Sequence, residues 1–329
     1  MNLKFGIEEE IFLIDKEKGK PAVDSLYPLY TLFRKNPAFY YFHTAVNLAR
    51  SREFFDFFVA SVEISTPAVS SVEGVVGELA LIRKELVQNC PQKVACVGML
   101  PQYTANKSLV AGLHLHLSGE FDLEKTRLKL AHYLPALLLL TANSPSLENE
   151  YLSNRILLNP FAGSLVSNAY ERFQDIIVSR RLKTLEIRIF DPCPDLERYY
   201  LLLEAVKRII ELNEEPLFEP DRYVFLRRQA ACYGMKAPAV RDLVYELTEK
   251  IGFKVFYFET PPAIRTKELL EKHGVEKAFD YLDSLYRDGV QFDGNLPPKS
   301  LRALIGFFGY YLPKMPYITY KFLKEHGYL

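Results

Sequence analysis

The sequence predicts an α+β fold in which helices cover one face of a largely antiparallel sheet and leave a polar groove on the other. Two observations carry the prediction. Four segments, around residues 3–14, 57–66, 110–119 and 184–191, alternate aliphatic and polar residues with a two-residue period. Between and after them lie segments with helical spacing and recognisable caps. Strands that are apolar on one side only make a half-buried sheet, which suits antiparallel or mixed pairing better than all-parallel pairing.

The helices are set by their ends. Ser70 and Glu73 form a capping-box pattern, and Val72, Val75, Val76, Leu79, Ile82 and Leu86 follow at helical spacing. Asp122 caps a helix predicted to run to about Thr141. Its apolar run from Leu134 to Ala142 is broken by Pro135 and reaches about half of the ~20 residues that span a bilayer, so it reads as a buried helix. Asp195 caps another helix to about Leu212, with Leu202, Ala205, Val206 and Ile209 on one stripe. Pro238 suits a first helical position and Gly252 a stop. From about Asn213 onward the chain reads as helical and Pro-interrupted.

Composition narrows the function classes. Lys and Arg total 41 against 41 Asp and Glu, and 49% of residues are hydrophobic. This disfavours a polybasic surface that binds nucleic acid and an acidic disordered tail. Cys90, Cys96, Cys193 and Cys232 show no CxxC spacing and are too sparse for a disulfide framework. Lys4 and then Glu8, Glu9 and Glu10 occupy the stretch that a secretory signal would keep apolar. The expectation is a cytoplasmic protein acting on small molecules, without nucleic-acid or membrane partners, and a homo-oligomer is compatible with it. Walker A, GxGxxG and GxSxG patterns are missing, which disfavours P-loop, Rossmann and serine-hydrolase chemistry. The aromatic runs Phe54–Phe58 and Phe307–Tyr311 read most simply as packing or interface.

The polar faces of the four strands are more telling. Glu8 and Glu10 share a face with Gly6 and Phe12, opposite Ile7, Ile11 and Leu13. Glu63 alternates with Val62 and Ile64, and His114, His116 and Ser118 alternate with Leu113, Leu115 and Leu117. Glu186 and Arg188 alternate with Leu185, Ile187 and Ile189. Same-face neighbours lie roughly 7 Å apart, so two carboxylates there repel by about 2 kcal/mol at an effective dielectric near 20. Divalent cations relieve that repulsion. Mg²⁺ and Mn²⁺ take carboxylate oxygens, and imidazole also suits Mn²⁺. Glu8, Glu10, Glu63, His114 and Glu186 are therefore candidate ligands for two ions, and Arg188 offers a planar donor fork for phosphate or carboxylate. An oxygen-rich site of this kind suits phosphoryl transfer. Singly, each group has a structural explanation: a solvated strand start, a hydrogen-bonded histidine pair, an exposed ion pair. Their convergence on four strands selects the functional reading.

These residues resemble the glutamate-cysteine ligase type 2 family, the carboxylate-amine ligases of the glutamine synthetase-like superfamily. The likeness runs through Phe5-Gly6-Ile7-Glu8-Glu9-Glu10-Ile11-Phe12-Leu13-Ile14-Asp15, Val62-Glu63-Ile64-Ser65-Thr66-Pro67 and Gly112-Leu113-His114-Leu115-His116. It continues through Thr141-Ala142-Asn143-Ser144-Pro145 with Arg155, Thr184-Leu185-Glu186-Ile187-Arg188-Ile189-Phe190-Asp191, and Arg227 to Met235. These blocks stand in family order over about two-thirds of the chain.

The resemblance implies one glutamine synthetase-like domain over residues 1–329, with a sheet-forming core to about 212 and a mainly helical part beyond. It implies a curved antiparallel sheet whose concave face binds ATP and Mg²⁺ or Mn²⁺, with helices on the other side. ATP would phosphorylate a carboxylate, the γ-carboxylate of glutamate in relatives, and an amine such as cysteine would displace phosphate. By motif position Glu8, His114 and Glu186 would hold the ion nearest the γ-phosphate, and Glu10 and Glu63 a second. His116 and Ser118 would contact nucleotide, Arg188 together with Glu186 would serve the transferring phosphoryl group, and Arg155 the substrate carboxylates. The motifs depart from the family pattern at Asp56, Val59, Leu226 and Cys232, which bears on the second ion and on the amine pocket. A guanidino-kinase-like phosphotransferase, a nucleotide- or amino-acid-binding protein without turnover, and an ATP-independent hydrolase remain open alternatives.

Overall fold

The computed structural model describes residues 2–15, 22, 24–37, 40–42, 61–103, 110–158, 174–179, 183–214, 216–292, 294–325 and 328. Its strands are β1 (Lys4–Ile14), β2 (Tyr40–Phe42), β3 (Ser61–Ser65), β4 (Lys93–Ala95), β5 (Leu113–Ser118), β6 (Ile176–Ser179) and β7 (Thr184–Phe190). The helices are α1 (Leu26–Lys35), α2 (Val72–Asn89), α3 (Leu123–Leu137), α4 (Asn154–Leu158), α5 (Leu196–Glu211), α6 (Pro220–Tyr233) and α7 (Pro238–Ile251). They continue with α8 (Phe256–Glu259), α9 (Pro262–Arg287), α10 (Lys299–Gly306) and α11 (Met315–Glu325). The expected α+β architecture is what forms.

The seven strands make one sheet in the order β2-β3-β1-β5-β7-β6, and β4 pairs with the far end of β1. Every pairing is antiparallel. The long strand β1 is the spine. It pairs with β3 along one edge, and with β5 and then β4 along the other. Strands β2, β4 and β6 are three or four residues long and carry too few alternations to show a period in the sequence.

One face of the sheet packs on helices as expected. Ile7, Ile11, Leu13, Val62, Ile64, Leu115, Leu117, Leu185 and Ile187 join a core with Val75, Leu79, Leu86, Leu202, Val206 and Ile209 of α2 and α5. The run from Leu134 to Ala142 lies buried in the same core. The helix ends follow their caps. The Asp122 carboxylate accepts from Glu124 N and Lys125 N, both at 3.0 Å, and Asp195 accepts from Glu197 N at 2.9 Å. Helix α7 starts at Pro238 and stops at Gly252, whose φ of 67° is the left-handed value that favours glycine at that position. One cap is corrected: Ser71, not Ser70, is the N-cap of α2 and accepts from Gly74 N at 3.1 Å. Both residues are serine, so spacing alone could not choose between them.

The opposite face is not polar along its whole length. Phe12 and Ile14, at the far end of β1, are buried with Ala95, Val97, Leu100, Ala111, Phe279 and Leu282 in a small second core. Helix α9 supplies Phe279 and Leu282, so the groove is closed at that end. The Phe54–Phe58 run and the departures at Asp56 and Val59 lie outside the described residues. Tyr310 is buried and meets Phe33 edge-on at 5.2 Å, so the second aromatic run is partly packing.

Candidate active site

Strand register assembles the polar face. Glu8 lies opposite His114, Gly6 opposite His116, and Glu10 opposite Glu63. His116 lies opposite Glu186, and Ser118 opposite Thr184. Directly opposite residues in a sheet share a face and bring their side chains within reach of one another. Four separate segments of sequence thus deliver their polar residues to one place.

Glu8, His114 and Glu186 form the tightest group, with their candidate ligand atoms all within 4.8 Å of one another. His114 is buried and turns Nδ1 toward both carboxylates, 3.4 Å from Glu8 Oε2 and 3.7 Å from Glu186 Oε1. Oxygen and nitrogen ligands around one Mg²⁺ or Mn²⁺ stand about 3 Å apart at adjacent positions. Two carboxylates and an imidazole at these separations therefore fit such an ion with ordinary side-chain adjustment, and a hard, oxygen-rich donor set is the kind these ions prefer. His116 braces the other oxygen of Glu8, with Nε2 3.2 Å from Oε1. Arg188 donates from Nη1 to Glu186 Oε1.

Glu10 and Glu63 stand beside each other on neighbouring strands but outside this trio. Both are largely buried. Glu10 Oε2 accepts the Gly112 amide at 2.6 Å, while Gly112 O accepts from Glu10 N at 2.9 Å. Gly112 is required there by closeness: a Cβ would lie 2.8 Å from His114 Nε2.

The electrostatics reflect the crowding. Burial alone would raise the Glu8 carboxyl, but the hydrogen bonds and charges of His114 and His116 outweigh it and hold Glu8 far below the usual carboxylate range. Burial would lower His116, yet Glu8, then Glu186 and Glu63, raise it above its ordinary value. By linkage, the Glu8 contribution to stability is present above its ordinary value of 4.5 and is lost as pH falls through its lowered one. The His116 contribution is present below 6.5 and is lost as pH rises through its raised value. Without added cations, the stabilisation from this pair is expected to be greatest between pH 4.5 and 6.5, where both contributions are complete. Urea midpoints measured against pH should show His116→Gln flattening the alkaline limb and shrinking the acid limb, which persists through His114.

A cavity of about 170 Å³ opens at the outer end of this face, lined by Lys4, Glu8, Ser65, His116, Ser118 and Thr184. His116 and Ser118 are thus on one concave surface next to the trio.

Two features were invisible in the periodicity. The β5–β7 register shifts between Leu113 and Leu115, which pair with Phe190 and Ile187, so β7 carries an extra residue opposite His114. Such a bulge bends a strand and re-aims its side chains. The second feature is what holds it. Arg155 is buried, ion-paired through Nε to Asp191 Oδ1 at 2.7 Å, and donates from Nη2 to the carbonyls of Arg188, Ile189 and Phe190 at 3.2, 2.8 and 2.6 Å. Nε and Nη2 of Arg155 thus hold the bulge from inside the protein. Asp191 also accepts from the Asn143 amide at 2.9 Å, tying the Asn143 segment to the same strand end. Arg227 is likewise engaged inside the protein, with Nε 2.6 Å from Asp175 Oδ2, and Leu226 belongs to the core. Asp175 O in turn accepts from Arg188 N at 2.8 Å.

No protein-family model matches the chain. A curated glutamate–cysteine ligase from Haloquadratum walsbyi is 26% identical over a 167-residue alignment that covers 43% of this chain and 43% of that protein. The chain thus aligns with less than half the length of that relative. Among solved structures, a glutamate–cysteine ligase from Francisella tularensis in complex with AMP superposes with a TM-score of 0.58 at 12% identity, covering 99% of both chains. A bifunctional glutathione synthetase from Pasteurella multocida gives 0.53 at 14% identity over 97% of this chain and 53% of that one. The complex of the ubiquitin-like protein Pup with its ligase PafA gives 0.52 at 12% identity, over 88% of this chain and 66% of that one.

Proposed function

We propose that this relative of the carboxylate-amine ligases, whose fold it shares, is an ATP-dependent enzyme that activates a carboxylate as an acyl phosphate and joins it to an amine. The observation that carries the reading is the trio of Glu8, His114 and Glu186, with Arg188 bonded to Glu186 beside it. Glutamate is the first donor to test and cysteine the first acceptor, because the curated relative is named for that pair.

In this reading Glu8, His114 and Glu186 hold one Mg²⁺ or Mn²⁺, and Glu10 with Glu63 contribute to a second. Bound cations would neutralise polyphosphate charge and so lower the repulsion that an attacking carboxylate meets. The chain's own groups orient the reactants. Arg188, fixed by Glu186 and by the bulge under it, presents its guanidinium to the transferring phosphoryl group. His116 and Ser118 border the cavity next to the trio and would receive part of the nucleotide. The substrate carboxylate attacks the γ-phosphorus and ADP leaves; the amine then attacks the acyl carbon, loses a proton and expels phosphate.

Incubation with ATP, Mg²⁺, glutamate and a panel of amines should release phosphate only when carboxylate and amine are both present. Absence of amine-dependent release across a broad panel overturns the reading, and a stable phosphorylated guanidino product would replace it with a kinase. Arg188→Lys is expected to lower turnover by roughly 10²–10³-fold, because an ammonium cannot reproduce a planar fork held by a carboxylate. Steady-state kinetics at saturating ATP would check it; wild-type rates in this variant would make Arg188 structural.

A further inference from the structure

Glu9 sits between the two carboxylates of the polar face, and strand alternation sends its side chain through the opposite side of the sheet. It is fully buried there. Arg83 of α2 donates to both of its oxygens, from Nε at 3.0 Å and from Nη2. Tyr199 of α5 donates its hydroxyl at 2.6 Å, and Tyr286 of α9 at 2.9 Å. The Arg83 guanidinium also lies over both tyrosine rings, 5.1 Å from the Tyr199 centroid and 4.4 Å from that of Tyr286. Three helices therefore converge on one carboxylate at the middle of the spine strand.

The placement matters because of what flanks it. Peptide planarity and the pleat leave little freedom between successive residues of a strand. Fixing Glu9 in depth and direction thereby fixes where the Glu8 and Glu10 side chains leave the backbone on the other face. Most strand interiors are held by apolar packing, which tolerates sliding; a carboxylate with several directed partners does not.

We infer that Glu9 is a positioning residue for the cation site, and that the Arg83, Tyr199 and Tyr286 anchor on the back of the sheet sets cation affinity on its front. The inference rests on the reading of Glu8, His114 and Glu186 as cation ligands. Partners bonded directly to metal ligands change affinity by about 10–100-fold when removed, and Glu9, which acts through the backbone, is expected at or below the lower end of that range. Through Tyr286, the helical C-terminal part also reaches the cation site without touching it.

The test is direct titration with Mn²⁺ alone, followed by the paramagnetic resonance of the free ion, far below each variant's unfolding midpoint. Tyr286→Phe removes one hydroxyl and leaves the ion pair, so it keeps the chain folded; about three-fold weaker binding is expected. Glu9→Gln is expected to weaken binding by about ten-fold. A Glu9→Met and Arg83→Met pair, which restores neutrality without the anchor, should weaken it equally even where stability recovers. Wild-type Mn²⁺ affinity in the folded variants, whatever their melting temperature, overturns the inference. Glu8→Gln separates this failure from failure of the underlying reading. Loss of binding in Glu8→Gln with none in the Glu9 and Tyr286 variants sinks the anchor alone, and unchanged binding in all of them sinks the cation site with it.

Discussion

Glu8→Gln and Glu186→Gln are each expected to reduce turnover by roughly 10³-fold or more while urea unfolding stays cooperative. The amide keeps the volume and one acceptor oxygen but removes the charge that both His114 and a cation would use. Both carboxylates are partly open to the groove, with side chains 30% and 19% exposed, so neither substitution opens a cavity in the core. The two variants should differ in how they fail. Glu8 faces both histidines, so its loss also removes the leading influence that raises His116, leaving Glu186 and Glu63 to act on it. Glu186 is bonded to Arg188, so the neutral amide also weakens the hold on the guanidinium. Raising Mg²⁺ should therefore recover more activity in Glu8→Gln than in Glu186→Gln. Initial rates across a Mg²⁺ series would check this, and full activity in either variant would remove that residue from the site.

Much of this site could be read from the sequence, for a geometric reason. A strand with one aliphatic face declares which residues point the other way, so the placement of Glu8, His114, His116 and Glu186 on one face followed from Ile7, Leu113, Leu115 and Ile187. Antiparallel register then aligned them. Periodicity failed where a second chain segment decides the outcome. The bulge in β7, whose carbonyls Arg155 satisfies, is one such case, because a bulge leaves no mark in an alternation that merely shifts by one. Glu9 was harder still. As the polar member of an otherwise aliphatic face it was an anomaly visible in the sequence, and its explanation required Arg83, Tyr199 and Tyr286, 74, 190 and 277 residues away. The short strands β2, β4 and β6 are made by their neighbours more than by their own residues.

Arg83→Met should cost about 3–5 kcal/mol of stability. The ion pair itself is no strong source of stability, since desolvating two charges offsets most of their attraction. What makes the substitution severe is the asymmetry of removing one partner. Glu9, fully buried, would keep two hydroxyl donors and lose its compensating charge. Arg83 also donates to Pro194 O at 2.7 Å and Cys193 O at 3.0 Å, so the turn leading into α5 would lose two bonds as well. Each buried carbonyl left without a donor costs about 1–3 kcal/mol. The compensating pair, Glu9→Met with Arg83→Met, should recover much of the loss, because no uncompensated charge then remains inside. A double-mutant cycle in urea would measure the coupling, and a midpoint for Arg83→Met close to that of the unsubstituted chain would show that the Glu9 carboxylate is held by its tyrosines alone.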